Sequence, residues 1–336
     1  MKQLGQSDLN IPPVIFGAWA IGGWYWGGTN DKQSITAIHA SIDAGITAFD
    51  TAPVYGFGHS EAILGQALKG KREQAILCTK VGLRWDASEG DFFFDVPSDE
   101  TTDGIPKDVF RNLRPHSIRT EVEQSLKRLH TDYIDLLQCH WPDPSFPIEE
   151  TMNEFIALHT EGKIRAIGVS NFDTDLLSRA QQALSPLPLA STQPRYSLLN
   201  RSIEQDIIPW LLKNSVAAIV YSPIEQGLLA GTITPERKFA ETDGRNYDPL
   251  FSQENRLAIQ KALHEIDNIC HDYNCSYAQI CAAWCFHRPG ITAAIIGART
   301  PEQAIANAQT AHIQLSLDVV ELLTHHFQTL SCCTLS

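Results

Sequence analysis

The side chains able to do chemistry in this chain sit at the ends of apolar runs. Asp50 closes Ile46-Thr-Ala-Phe-Asp50, and Tyr55 follows in Asp50-Thr-Ala-Pro-Val-Tyr55. Lys80 closes Ala75-Ile-Leu-Cys-Thr-Lys80, and His140 closes Ile134-Asp-Leu-Leu-Gln-Cys-His140. A lysine at the end of a buried strand is costly unless paired, and Asp50 is its natural partner. A free phenol has a pKa of about 10 and gives up its proton poorly at neutral pH. A nearby ammonium stabilises the phenolate, so Lys80 is expected to lower that value for Tyr55. The four types then form a proton-transfer set. Tyr55 can protonate a carbonyl oxygen while hydride arrives at its carbon, Asp50 holds Lys80, and His140 hydrogen-bonds the same oxygen. Each residue alone has an ordinary structural explanation. Four at adjacent strand ends call for a shared one, although spacing alone does not name the reaction.

Those ends belong to a regular alternation. Eight β-like runs, 14–17, 46–50, 75–80, 134–140, 164–170, 189–193, 216–221 and 291–297, are separated by helical segments. Several are near-continuously apolar, as strands buried on both faces should be. Asp31 can cap a helix with the stripe Ile35, Ile38 and Ile42, stopped at Gly45. Ser60 can cap the next, with Ile63, Leu64, Ala67 and Leu68, while Ile118, Val122, Leu126 and Leu129 make a clean helical face. Thr300-Pro301-Glu302-Gln303 offers an N-cap, a proline at the first helical position and a capping-box glutamine.

Alternation of this kind favours a parallel sheet. No Gly-x-Gly-x-x-Gly follows an early strand, so the open-sheet dinucleotide fingerprint is missing. Asp50, Lys80, His140, Ser170, Gln193 and Tyr221 all stand at strand C-termini, which converge on one mouth in a closed barrel. The expected architecture is therefore α/β, a (β/α)8 TIM barrel, with residues 1–336 as a single domain. Turn chemistry at Gly5-Gln-Ser-Asp8 predicts an N-terminal hairpin plugging the barrel floor. Two long mouth-side segments, 82–114 and 222–251, can fold over a ligand.

Composition excludes several classes. The chain has 336 residues, 43% apolar and 19% charged, which is globular. Its net charge of −13, without a Lys/Arg run, argues against nucleic acid. No apolar stretch is long enough to span a membrane, and Met1–Asn10 lacks the apolar core of a signal peptide. Cysteines embedded in apolar runs point to a reduced, cytoplasmic compartment. Cys270, Cys275, Cys281 and Cys285 lack the two-residue spacing of zinc knuckles, and Cys281 and Cys285 read as small buried hydrophobes. Without His-Glu-x-x-His, no metal is expected. Cys333-Thr-Leu-Ser336 only loosely matches a prenylation box, since Thr334 is not aliphatic and no polybasic run precedes it; the tail is read as ordinary.

The ordered set of motifs resembles the aldo-keto reductase superfamily. It comprises Phe49-Asp-Thr-Ala-x-x-Tyr-Gly56, Gly58-His-Ser-Glu61, Thr79-Lys80, Asp132-Tyr-Ile-Asp-Leu-Leu137 running into His140-Trp-Pro142, Gly168-Val-Ser-Asn-Phe172, Tyr221-Ser-Pro223 and Ile296-Gly-Ala-Arg-Thr-Pro301. The resemblance implies the same barrel, NADPH-dependent reduction of aldehydes or ketones, and a tetrad of Asp50, Tyr55, Lys80 and His140 with Tyr55 as the acid. It also implies a cofactor site. Ser170, Asn171 and Gln193 match the residues that hold the nicotinamide carboxamide, which presents both a donor and an acceptor. Tyr221 matches the residue that stacks on the nicotinamide ring. Ser222, Gly227 and Leu228 match the pyrophosphate loop, and Gly297, Arg299, Thr300, Gln303 and Asn307 the adenosine-phosphate site. That last site opens a capped helix whose N-terminus favours anions, and Arg299 can clamp a 2′-phosphate.

This chain departs from many members, which carry Lys at Gly297 and Arg at Gln303. It also lacks cations that relatives place at Gln226 and near Thr232; Arg237 or Arg245 can substitute. Arg299 becomes the main cation, so NADPH is preferred, with NADH as the alternative. Val81, Gly82 and the long loop after them resemble the bacterial stress-protein and inositol-operon-like branch. The substrate pocket is expected to be aromatic, with Trp19, Trp141 and Trp85, and to take a small-molecule carbonyl compound. Two other readings remain open on the same fold: a cofactor-sensing regulatory binding protein, and a sugar or polyol dehydrogenase running the oxidative direction.

Overall fold

The computed structural model describes residues 1–101 and 103–331; the Cys333–Ser336 tail lies outside them. Strands β1 (Lys2–Gln3) and β2 (Asn10–Ile11) form an antiparallel hairpin with Lys2 opposite Ile11. They precede β3 (Val14–Gly17), β4 (Ala48–Asp50) and β5 (Ile76–Val81). Then come β6 (Leu83–Arg84), β7 (Asp91–Val96), β8 (Lys107–Arg111) and β9 (Ile134–Cys139). The last four are β10 (Ile164–Ser170), β11 (Ser191–Gln193), β12 (Ala217–Val220) and β13 (Ile291–Gly297).

Strands β3, β4, β5 and β9 to β13 pair in parallel, in chain order, and β13 closes onto β3. Helices occupy the connections, as the alternation required: a chain of parallel strands must cross back between them, and the helix that does so covers the outer face. The expected (β/α)8 barrel is the fold.

Three local readings are corrected. Asn30, in extended backbone, caps the helix Asp31–Asp43 by accepting from the Gln33 amide, so Asp31 is the first helical residue. Gly58, in left-handed backbone, precedes the helix His59–Ala67. Ser60 is inside that helix and fully buried, where its hydroxyl donates to the Ala18 carbonyl (2.8 Å) and meets the Thr51 hydroxyl (2.9 Å). A serine ahead of an apolar run resembles a cap, but here a tertiary bond claims it. Gln303 donates its amide to the Thr300 hydroxyl as expected, but its side chain accepts from the Arg299 amide rather than from Thr300.

The described residues of 82–114 form a built structure. β8 lies between β6 and β7 in an antiparallel sheet attached at the mouth, and the pairing shifts register between Phe92 and Phe94. The hairpin plugs the floor. Leu4, Leu9 and Ile11 are buried against Ile15, Ala48, Leu136 and Ile219 inside the barrel. Gly5 turns the hairpin at φ +57, and a Cβ there would stand 2.3 Å from the Ala190 carbonyl oxygen, so no other residue fits. Among the described residues no helix is long and apolar enough to cross a membrane.

Candidate active site

Side chains two apart on a strand share a face. Inside this barrel that rule carries each strand from an apolar floor to a polar mouth: Ala48 to Asp50, Cys78 to Lys80, Leu136 to Gln138, Ala166 to Ser170. The Lys80 side chain is completely buried. Its Nζ donates to Asp50 Oδ1 at 2.5 Å, to the Thr51 carbonyl at 3.0 Å and to the Tyr55 hydroxyl at 3.4 Å. An ammonium has three protons, and all three are placed. The second Asp50 oxygen accepts from Gln193 (2.9 Å) and Gln138 (3.3 Å). A buried ion pair is tolerated when its remaining donors and acceptors are satisfied in this way.

Tyr55 reaches the lysine from the turn after β4. Gly56 follows it at φ +64, and a Cβ there would lie 2.1 Å from the Gly22 carbonyl oxygen. The loop after β3 thus presses against the Tyr55 backbone and fixes where the phenol points. The His140 ring stands edge-on to the Tyr55 ring, centroids 5.6 Å apart. The four sequence-derived residues are together.

Their electrostatics differ from the sequence expectation at one point. Burial pushes the Tyr55 pKa up, Lys80 pulls it back and Asp50 adds to the rise; the net direction is upward, not downward. Burial also opposes charge on Lys80, but Asp50 and Tyr55 outweigh it and hold the ammonium charged. Burial, aided by the Lys80 charge, holds His140 well below the usual histidine range, so its ring is neutral. At neutral pH the mouth therefore holds a protonated phenol, a charged lysine and a neutral imidazole.

Around the phenol lies an aromatic wall. Trp19 packs beside Tyr55 at 6.0 Å and stacks on Tyr25 at 5.1 Å. Trp85 packs edge-on to Phe57, and Trp141 meets Phe93 of β7. Trp24 stacks on Phe94. Strand β7 of the antiparallel sheet thus contributes Phe93 and Phe94 to this aromatic wall.

On the other side of the mouth the proposed carboxamide-binding residues form one chain of hydrogen bonds. Ser170 donates to the Gln193 carbonyl (2.7 Å), Asn171 donates to Ser170 Oγ (3.0 Å) and to the His140 carbonyl (3.1 Å), and Tyr221 donates to Asn171 Oδ1 (3.0 Å). The side-chain nitrogen of Gln193 is already committed to Asp50 and Gln138. Beyond Tyr221 the chain turns through Ser222, Gln226 and Gly227, all with positive φ, and the Gly227 amide donates to the Ile224 carbonyl at 3.0 Å. Leu228 buries its side chain in the core, so only its backbone is free to serve a ligand.

Thr300 caps the helix Pro301–Thr310, and Asn307 donates to the Gly297 carbonyl at 3.1 Å. Arg299 is half-buried and donates to the carbonyls of Trp26 (3.2 Å) and Gly28 (2.6 Å). Arg245 lies close enough for its charge to help lower the Arg299 pKa, after burial. Arg245 is itself held by Asp243 at 2.7 Å. Two oriented guanidiniums beside a helix N-terminus suit a phosphate. The residues present therefore fit the phosphate groups of a nicotinamide dinucleotide.

Gln138 and the Thr51 carbonyl were not singled out from the sequence. Gln138 was findable: it is two residues before His140 and so shares its face.

The model of the aldo/keto reductase family matches residues 13–327. The chain belongs to that family. Aldo-keto reductase YhdN of Bacillus subtilis (strain 168) is 41% identical over 303 residues, covering 89% of this chain and 85% of that protein. The NADH-specific methylglyoxal reductase of Escherichia coli (strain K12) is 38% identical over 319 residues, covering 93% and 94%. Among solved structures, the glycerol dehydrogenase AKR11B4 from Gluconobacter oxydans superposes with a TM-score of 0.84 at 36% identity, covering 98% of this chain and 94% of that one. The protein is an NAD(P)H-dependent aldo-keto reductase, an oxidoreductase for carbonyl compounds.

Proposed function

We propose that this aldo-keto reductase reduces aldehydes or ketones to alcohols with Tyr55 as general acid and NADPH as the preferred cofactor. The observation that carries the reading is the placement of Lys80 Nζ between Asp50 Oδ1 (2.5 Å) and the Tyr55 hydroxyl (3.4 Å). Ser170, Asn171, Gln193 and Tyr221 are the residues that would hold a nicotinamide, which when bound would supply the hydride.

The remaining work belongs to the protein. Tyr55 Oη holds the proton for the carbonyl oxygen. Its raised pKa keeps it fully protonated until negative charge builds on that oxygen, and Lys80 stabilises the phenolate left behind. Neutral His140 can donate an N–H to the same oxygen without competing for the proton. The walls of Trp19, Trp85 and Trp141 exclude water and suit an apolar substrate body. Ser222 and Leu228 would offer backbone amides to the pyrophosphate, beside Gly227, whose own amide donates to the Ile224 carbonyl. Arg299, with Thr300, Gln303, Asn307 and Gly297 beside it, and Arg245 opposite, favour a 2′-phosphate. The Escherichia coli relative bears the name NADH-specific, so cofactor choice is measured separately.

The Tyr55→Phe variant tests the acid. Turnover should fall by about 10²–10⁴-fold, while NADPH affinity, read by Trp fluorescence, stays close to that of the parent. A variant retaining full turnover would remove Tyr55 from the role. The glycerol dehydrogenase likeness favours one second reading, the reverse direction on a polyol, with Tyr55 as base. Steady-state rates in both directions at neutral pH separate the two.

A further inference from the structure

Cys270 and Cys275 flank a helix end far along the chain from the tetrad. The helix Asp267–Asp272 stops in a Schellman arrangement: the Cys275 amide donates to the Cys270 carbonyl (3.0 Å), the Asn274 amide to the His271 carbonyl (3.0 Å), and Asn274 has φ +47. In this motif the side chains three residues inside the helix end and two beyond it are brought into contact. Here both are cysteines. The two hydrogen bonds of the motif thus bring the Cys270 and Cys275 side chains to the same side of the helix end, at the edge of the core.

The position is pinned from the other side as well. Ser276 caps the next helix, Tyr277–His287, through a reciprocal capping box with Gln279. Cys275 is therefore fixed between two helix-end motifs. The two sulfurs differ in access: Cys270 is buried, whereas Cys275 is partly exposed and lines an open groove of about 500 Å³ with Asp272, Gln279, Gln309 and His312.

We propose that Cys275 and Cys270 are a redox-active dithiol that a hydroperoxide oxidises to an intramolecular disulfide. The Cys275 thiolate attacks the peroxide oxygen, the O–O bond breaks, and a sulfenic acid and hydroxide (or alkoxide) result. The Cys270 sulfur then attacks the Cys275 sulfur, the S–O bond breaks, and the departing hydroxide leaves as water with the Cys270 proton. Two thiols lose two electrons and the peroxide gains them; a low-molecular-weight thiol reverses the change. The division of labour follows the surroundings. The neighbouring Cys270 thiol holds the Cys275 pKa below its ordinary value against a smaller cost of burial, while Cys275 and burial raise that of Cys270.

The test uses the full chain, reduced and then treated with hydrogen peroxide. Free thiols are alkylated, and the protein is digested with chymotrypsin without reduction. Cleavage after Tyr273 separates the two cysteines unless a disulfide joins them. The expected result is a joined pair of peptides two hydrogens lighter, restored to separate peptides by dithiothreitol. Separate, alkylated peptides, or a Cys275–Cys281 link, would overturn the proposal. In Cys270→Ala, a sulfenic-acid probe such as dimedone should label Cys275; labelling of Cys270 in Cys275→Ala instead would reverse the assigned roles. None of these readouts depends on carbonyl reduction.

Discussion

The floor and the mouth of this barrel are built from the same strands and solve opposite problems. At the floor, Ile15, Ala48, Leu136, Ala166 and Ile219 meet Leu4, Leu9 and Ile11 of the hairpin in a layer held by shape alone. Two residues beyond Ala48, Cys78 and Leu136, and four beyond Ala166, the interior holds Asp50, Lys80, Gln138 and Ser170, and every polar group of the central pair is spoken for. A floor residue can be trimmed with a loss set by the cavity left behind. A mouth residue cannot, because its partner remains behind as a charge without water. The same burial that makes the mouth fragile sets its acid–base state, since it keeps Tyr55 protonated and His140 neutral.

The comparison breaks hardest at Asp50. Asp50→Leu should destabilise the protein by about 3–5 kcal/mol, because Lys80 stays buried without its counter-ion. Adding Lys80→Met should recover much of that loss while leaving turnover negligible. Urea unfolding of the single and double variants gives the difference. If the single variant were no less stable than the double, the pair would not be the electrostatic lock described above.

At the floor, Leu9→Ala should cost about 2–4 kcal/mol, in the range of buried leucine truncations, with turnover per folded molecule unchanged. Chemical denaturation and a steady-state assay on the same sample check both halves. A drop in turnover would show that the floor packing sets the geometry of the mouth.

The two regions were also unequally legible in the amino-acid sequence. Strands such as Val14–Gly17 and Ile164–Ser170 could be read to the residue because burial on both faces leaves few polar breaks within a strand. The Asp50–Lys80 pairing was readable because a buried lysine needs an acid. The pKa direction of Tyr55 was not, since it depends on how much water burial removes weighed against the charges of Lys80 and Asp50, and burial is set by the whole fold. The sheet within 82–114 was hidden for another reason. Its strands pair antiparallel with a register shift, and no local pattern announces which residues will face one another. Ser60 was misread because its partner, Ala18, is 42 residues away.

Just outside the mouth, Glu121 is a carboxyl with half its needs met. It accepts from the Gly82 amide at 2.8 Å, while Oε2 is buried without a partner among the described residues. Burial pushes its pKa up to about 8, against the pull of the Gly82 amide and Arg84. The folded protein therefore keeps a proton that the unfolded chain has released. Stability from this group is fully present below its unfolded pKa, about 4.5, and is lost as pH rises through about 8, with a slope of at most about 1.4 kcal/mol per pH unit. Glu121→Gln should flatten that slope in urea midpoints taken from about pH 5 to about pH 8. An unchanged slope would mean that another group sets it.

The smallest effect tests the far end of the groove, where charge is held loosely and in partial contact with solvent. Arg299 is positioned by two backbone carbonyls rather than by a carboxylate, so its removal leaves no buried counter-charge and should hardly change stability. Its charge remains available for a phosphate. Arg299→Ala should weaken NADPH binding by about tenfold, in line with the loss of one charge-assisted contact, and NADH binding much less. Fluorescence titration with each nucleotide measures the ratio. Equal losses would mean that Arg299 serves the groove by bracing the Trp26–Gly28 loop, and that the 2′-phosphate is read by Arg245. The mouth would then have a second locked cation, tied to Asp243 as Lys80 is tied to Asp50.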